Sequence, residues 1–317
     1  MRIKLLAVSG LILISPLYLA LADSISSINQ LVVFGDSLSD NGNAYIGSGG
    51  VFPGPNYATG EYTDGPSTTP ATTGPFGLWD QQFAAKAGLA DPQPFLAGGT
   101  TYAVASATTG SNGVFDVTDQ LNIFGAAHPT GAPSNALYTF WAGANDISGA
   151  KNPVTAADNI YKNILTLAVA GGKDFLWLNL PPLGDTPEGM ASGQSGLLNG
   201  ASNAFNAEWA IDIAKLQSLG INVIGVNIGV LFDQIAADPS AYGFTNITAS
   251  AQGLSGVNPN DYLFWDDIHP TTAGDALVAN LALNDFVAAP EPATFGLILL
   301  FAVLFGAFKI RRRATVS

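Results

Sequence analysis

Five short apolar runs punctuate the middle of the chain, at residues 31–34, 101–104, 137–141, 175–180 and 222–226. Their apolar character is continuous rather than alternating, which is the pattern of strands buried on both faces of a parallel sheet. Helical patterns lie between several of them. The clearest predict helices over 155–169, opened by Thr155 as a cap with Asp158 three residues on, and over 197–219, closed by Gly220. Another is expected from Thr271 to about Phe286. Strands alternating with helices predict an α/β domain, a three-layer α/β/α sandwich around a five-stranded parallel sheet. Ligands of such sheets sit at the carboxyl ends of the strands. Residues 42–76, rich in Gly, Pro and Thr, read as a long surface loop over that edge, without regular structure.

The two chain ends carry different patterns. Arg2 and Lys4 precede an apolar run that closes on Ala20-Leu21-Ala22, so residues 1–22 are expected to be a removable export signal. An uncleaved anchor fits less well, because the run contains Pro16 and ends on small residues. At the other end, Pro290-Glu291-Pro292 leads into 293–308, which holds no charge, and then into Lys309 and Arg311, Arg312 and Arg313. A membrane helix over 293–308 is expected, slightly short for a span, with its basic cluster on the cytoplasmic side. Both ends then place residues 23–289 on the exported side, and no repeat or linker divides that stretch.

Composition narrows the functional classes. Of 317 residues, 48% are apolar and 11% charged, which excludes a disordered or coiled-coil protein. The net charge is −13, and within 24–289 it falls to −17, from 22 acids against Lys86, Lys151, Lys162, Lys173 and Lys215. That excludes phosphate-backbone binding as the main activity, so no nucleic-acid partner is expected. With no cysteine, disulfides, thiolate metal sites and cysteine nucleophiles are impossible. Two histidines, His128 and His269, give almost no material for a multi-histidine metal site.

Gly35-Asp36-Ser37-Leu38-Ser39-Asp40 follows the first strand directly, presenting a serine hydroxyl at a strand-to-helix turn where main-chain N–H groups are unpaired. Ser37 there is a candidate nucleophile, while Asp36 or Ser37 acting only as a helix cap is an equally physical reading. A serine nucleophile needs a base and a group that orients the base. His269, in Asp266-Asp267-Ile268-His269, has a carboxylate three residues earlier that can turn back to the ring; His128 has no nearby acid and reads as a loop residue. Asn145, in Gly143-Ala144-Asn145-Asp146, follows the third run and can donate to an oxyanion, or else bond its own turn. The main-chain N–H after the second run, around Ser106, is a further candidate donor.

These blocks, in this order, resemble the GDSL, or SGNH, hydrolase family of serine esterases and lipases over nearly the whole exported region. The resemblance implies Ser37 as nucleophile, His269 as base, Asp266 as its orienter, and an oxyanion hole from Ser37, Ser106 and Asn145, with no metal or organic cofactor. It implies hydrolysis of an ester substrate, lipid or acylated carbohydrate. A carbohydrate O-deacetylase and a catalytically weak surface binding protein on the same fold are the competing readings. There are two departures from the family pattern. Ser106 stands where the family usually has glycine, and Trp79 comes only after a Thr- and Pro-rich insertion that follows Tyr62-Thr63-Asp64-Gly65-Pro66. Phe52, Tyr57 and Tyr62 of the long loop can stack sugars, line an acyl pocket or merely anchor the loop. The C-terminal arrangement resembles the PEP-CTERM sorting signal of Gram-negative bacteria, which implies an exosortase-type processing partner and a periplasmic, surface or secreted location. A plain stop-transfer anchor is the alternative.

Overall fold

Four parallel strands form the centre of the molecule: β1 (Gln30–Gly35), β2 (Ala136–Trp141), β3 (Asp174–Leu178) and β4 (Asn222–Val226), side by side in that order. The computed structural model describes residues 27–64, 77–111 and 115–289. The expected export signal, the Thr- and Pro-rich insertion at 65–76 and the sorting tail with its expected membrane helix lie outside the described residues. Nine α-helices are described: α1 (Asn43–Gly47), α2 (Trp79–Ala87), α3 (Val117–Ala127), α4 (Ala144–Ser148), α5 (Pro153–Val169), α6 (Pro187–Ala191), α7 (Ser195–Ser218), α8 (Ile228–Ala237) and α9 (Thr272–Ala288). None of them is long and apolar enough to cross a membrane.

All six residues of β2 are buried, as a strand covered on both faces requires. Val32, Phe34, Tyr138, Phe140, Phe175 and Trp177 point to one side and share a core with α3, α5 and α7. Their neighbours face the other layer, where Trp141 meets the edge of Trp79 on α2, and Phe83 of α2 meets Phe286 of α9. Burial of each such aromatic side chain stabilises the fold by roughly 1.5–3 kcal/mol. Ile28–Phe286 is one compact unit.

The α/β sandwich is as expected, but the sheet has four strands, not five. The 101–104 run follows β1 through three bonds: Val33 N–H to Thr100 O at 3.0 Å, Tyr102 N–H to Val33 O at 2.7 Å, and Val104 N–H to Gly35 O at 3.3 Å. Only Thr101 makes a bridge. Its outer edge is taken up by the main chain of Gln93 and Phe95, bonded to Thr101 at 2.9 and 2.8 Å, and by the Asn43 side chain, which donates to the carbonyls of Thr101 and Ala103 at 2.8 and 2.9 Å, so this edge of the sheet is closed. Two further expectations are corrected. The cap of α5 is Asn152, whose side chain accepts from Thr155 N–H at 3.1 Å, with Pro153 pre-set as the first helical residue. The 42–76 loop contains the helix α1 and a bridge between Tyr57 and Asp64. A second, two-stranded parallel sheet, β5 (Asn246–Ser250) with β6 (Tyr262–Phe264), was not anticipated; β6 delivers the segment that carries Asp266 and His269.

Candidate active site

Ser37 begins a single turn of 3-10 helix directly beyond the carboxyl end of β1. The strand end beneath it is clamped by Gln120 of α3, which is fully buried. Its Oε1 accepts from Gly35 N–H at 3.0 Å and its Nε2 donates to Gly35 O at 2.7 Å. Position 35 has room only for glycine, because a Cβ there would lie 2.5 Å from the Trp141 carbonyl oxygen. Asp36 caps the turn, Oδ1 accepting from Leu38 N–H at 3.1 Å. Burial, with Oδ2 finding no partner among the described residues, pushes the Asp36 carboxyl up to about 7. The cap and the nucleophile readings of this turn are therefore compatible: Asp36 caps, and Ser37 Oγ is left to face outward.

His269 meets it there. Its Nε2 lies 2.7 Å from Ser37 Oγ, and its Nδ1 lies 2.6 Å from Asp266 Oδ2. Burial raises the Asp266 carboxyl, but the bond and charge of His269 and two main-chain N–H groups outweigh it and hold the group at about 2. An ionised carboxylate accepts only, so the Nδ1 proton faces Asp266, and Nε2 is left to accept from the Ser37 hydroxyl. The base reaches this place because the 265–269 turn is closed by Trp265 N–H to His269 O at 2.8 Å, and Thr271 N–H to Leu263 O at 3.0 Å ties the following residues to β6.

The candidate oxyanion donors lie on the same rim. Asn145 opens α4 and donates one amide N–H to Ala107 O at 2.9 Å, which leaves the other for the cavity. Ser106, between the two, has φ of 66°, the left-handed region that a residue with a Cβ seldom adopts. It is held there from both sides. Asp40, buried and accepting from four main-chain N–H groups, takes the Ala105 N–H at 2.8 Å, while Asn145 holds the Ala107 carbonyl and Asp146 accepts from Thr109 N–H at 2.8 Å. The serine thus occupies a backbone conformation suited to glycine because its neighbours over-determine it. The Ser106 N–H meets no acceptor among the described residues.

Ser37, Ser106, Asn145 and His269 line one cavity of about 600 Å³, whose walls include Leu38, Ile147, Leu183, Leu198 and Ile268. His128 takes no part: it ends α3, stacks on Phe124 at 4.1 Å and donates from Nδ1 to the Phe124 carbonyl at 2.9 Å. Trp79, despite the insertion, is fully buried and donates to Ser39 Oγ at 2.9 Å, supporting the nucleophile turn from below. Of the loop aromatics, Tyr62 lies against the His269 ring at 5.1 Å, Tyr57 reaches Asp266, and Phe52 is exposed. Sequence reasoning missed Gln120 and the role of Asp40. Nothing in an amphipathic helix marks one buried glutamine as a strand clamp.

Residues 31–282 match the family model for GDSL-like lipase/acylhydrolase, and residues 288–313 match that of the PEP-CTERM protein-sorting motif. The chain belongs to the GDSL-like lipase/acylhydrolase family. It is 28% identical over 316 aligned positions to Esterase EstA of Pseudomonas aeruginosa, covering 85% of this chain and 48% of that protein. It is 25% identical over 282 positions to the thermolabile hemolysin of Vibrio parahaemolyticus, covering 81% of this chain and 63% of that protein. The chain therefore spans about half the length of the Pseudomonas relative. Among solved structures, a carbohydrate acetylesterase from Sinorhizobium meliloti matches with a TM-score of 0.46 at 15% identity, over 82% of this chain and 99% of that chain.

Proposed function

We propose that this protein is an exported carboxylic ester hydrolase in which Ser37, His269 and Asp266 form a catalytic triad. The observation that carries the reading is the unbroken line of bonds from Asp266 through His269 to Ser37, at 2.6 and 2.7 Å, opening onto the cavity. Ser37 Oγ attacks the ester carbonyl as its proton passes to His269 Nε2, and Asp266 stabilises the imidazolium that forms. The developing oxyanion is taken by the main-chain N–H groups of Ser37 and Ser106 and the spare amide N–H of Asn145. Collapse expels the alcohol with the proton from His269. Water, deprotonated by the same imidazole, then releases the acyl group from Ser37.

The cavity wall combines Leu38, Ile147, Leu183, Leu198 and Ile268, which suit an apolar acyl portion, with Thr186, Glu188, Ser192 and Gln194, whose polar groups can meet a sugar's hydroxyls, so the lining by itself accepts an ester of either kind. The name of the Pseudomonas relative, an esterase, agrees with ester hydrolysis. The sorting motif supports export and processing by an exosortase-type enzyme in a Gram-negative cell.

A fluorophosphonate probe and a short p-nitrophenyl ester test the reading. The wild-type chain should be labelled and should turn the ester over. Ser37→Ala should abolish labelling, and both Ser37→Ala and His269→Ala should lower turnover by about 10³-fold or more with folding intact. Unchanged turnover in either variant overturns the triad. An unlabelled, inactive wild type points instead to a binding protein on this fold, and an ester panel dominated by acetylated xylan points to the deacetylase.

A further inference from the structure

Asp266 accepts four hydrogen bonds, and one of them comes from a residue 209 positions away in the chain. Its Oδ1 is filled locally, by the main-chain N–H groups of Ile268 at 2.8 Å and His269 at 2.7 Å. Its Oδ2, the oxygen that faces the imidazole, also accepts the phenol O–H of Tyr57 at 2.8 Å. Resting on the triad proposed above, we infer that Tyr57 is a positioning residue, whose hydroxyl aims Asp266 Oδ2 at His269 and moderates the hold of the carboxylate on the imidazolium.

The loop that presents Tyr57 is built to keep it there. Tyr57 pairs with Asp64 across an antiparallel bridge, and Ala58 N–H donates to Thr63 O at 3.3 Å. Thr63 Oγ donates to Pro270 O at 3.1 Å, and Asp64 accepts from Thr272 N–H at 2.5 Å at the start of α9. The same loop is therefore bonded to the residues directly after His269. The Tyr57 ring also lies 5.7 Å from Tyr62, which packs on the imidazole. Burial and the bond to Asp266 push the Tyr57 phenol up to about 12, so it stays protonated and donating through the working range.

Two effects follow from a second donor on Oδ2. The oxygen is held in one direction, which keeps the Nδ1–H bond aligned and Nε2 turned to Ser37. Its charge is also shared, so it stabilises the imidazolium less than a carboxylate bonded to histidine alone. Removing the hydroxyl strengthens that stabilisation. A base that holds its proton to higher pH is available only at higher pH, so the acid limb of kcat/KM moves up. The other titratable groups facing this pair are Asp36 on the Ser37 side, Tyr62 against the ring, Asp267 near Tyr57, and Glu188 and Lys151 in the cavity wall. All of them remain when only the phenol oxygen is removed.

The test is Tyr57→Phe in the full chain, with thermal melting to confirm folding, kcat and KM for p-nitrophenyl butyrate across both limbs of the pH profile, and fluorophosphonate labelling of both proteins. The expected result is a kcat lower by about 10-fold with KM little changed, and an acid limb displaced upward by about half a unit to one unit. A melt like that of the wild type with superimposable pH profiles and equal kcat overturns the positioning role while leaving the triad standing. Loss of stability without a shift of the limb, which a purely structural residue gives, also overturns it. Failure of the wild-type chain itself to label overturns the triad, and this inference falls with it.

Discussion

The Ser37 side and the His269 side of the candidate site are anchored by different means. Ser37, Ser106 and Asn145 follow β1, the 101–104 run and β2, and their surroundings are held by buried polar groups: Gln120 on Gly35, Asp40 on Ala105, Asp146 on Thr109. Asp266 and His269 stand on a turn and are held by another loop, through Tyr57, Thr63 and Asp64. The electrostatics diverge in parallel. Asp36, sealed beneath Ser37 with one oxygen unpartnered among the described residues, is pushed up to about 7, whereas Asp266, fully bonded at the rim, is held at about 2. Two carboxyls flanking one serine–histidine pair thus take opposite states near neutrality, one able to be uncharged and one ionised. Burial with a single main-chain donor lets Asp36 be neutral, whereas the bond and charge of His269, added to two main-chain donors, keep Asp266 ionised.

The largest test of the Ser37 side is Asn145→Ala. It removes the proposed oxyanion donor and also frees the Ala107 carbonyl, so kcat for a p-nitrophenyl ester should fall by about 10²- to 10³-fold with KM nearly constant. A loss of less than threefold would show that the amide serves the loop and not the reaction.

Asp36→Asn sharpens the electrostatic contrast. An acid whose carboxyl is raised from 3.8 to about 7 on folding stabilises the fold fully below pH 3.8, and that contribution is lost as the pH rises toward and through 7. Asn keeps the cap to Leu38 and cannot ionise. The melting temperature of the variant should therefore fall less steeply than that of the wild type between pH 4 and pH 8. The difference corresponds to at most about 4 kcal/mol. Parallel melting curves would mean that Asp36 does not change charge in that window. Asp266 has the opposite sign: its contribution is present above 3.8 and is lost as the pH falls toward 2.

Ser106→Gly carries the smallest effect. It releases a side chain from a φ of 66° but adds freedom to the unfolded chain, so stability should rise by no more than about 1 kcal/mol. Activity should hold or rise, since the donor is main-chain. A large loss of turnover would show that the serine side chain itself has a role.

Much of the architecture was legible because it is local. Continuous apolar runs predict buried parallel strands wherever β1, β2, β3 and β4 are found, and Gly220, at φ of 81°, does follow the end of α7. The 101–104 run failed for a reason outside itself: its edge groups are met by Asn43, from a stretch read as loop, and by the main chain of Gln93 and Phe95. The cap of α5 was misplaced because Asn152 and Thr155 are equally good capping types, and only the fold shows which side chain turns onto which N–H.

For the site, residue chemistry and order along the chain were enough to single out Ser37, His269, Asp266 and Asn145 as candidates, because only two imidazoles are present, one of them has an acid three residues earlier, and the serine and the asparagine each follow a strand-like run. Distances between them were not, since 232 positions separate Ser37 from His269 and only the packed sheet and the β6 turn bring them to 2.7 Å. The sequence by itself determined which groups are available: no thiol, two imidazoles and a serine after a strand. Tertiary structure decided which carboxyl is buried with one oxygen unpartnered among the described residues, which glycine-like backbone angle a serine is made to adopt, and which tyrosine reaches Asp266. Those outcomes depend on desolvation and on donors arriving from distant elements, and neither is a property of neighbours in sequence.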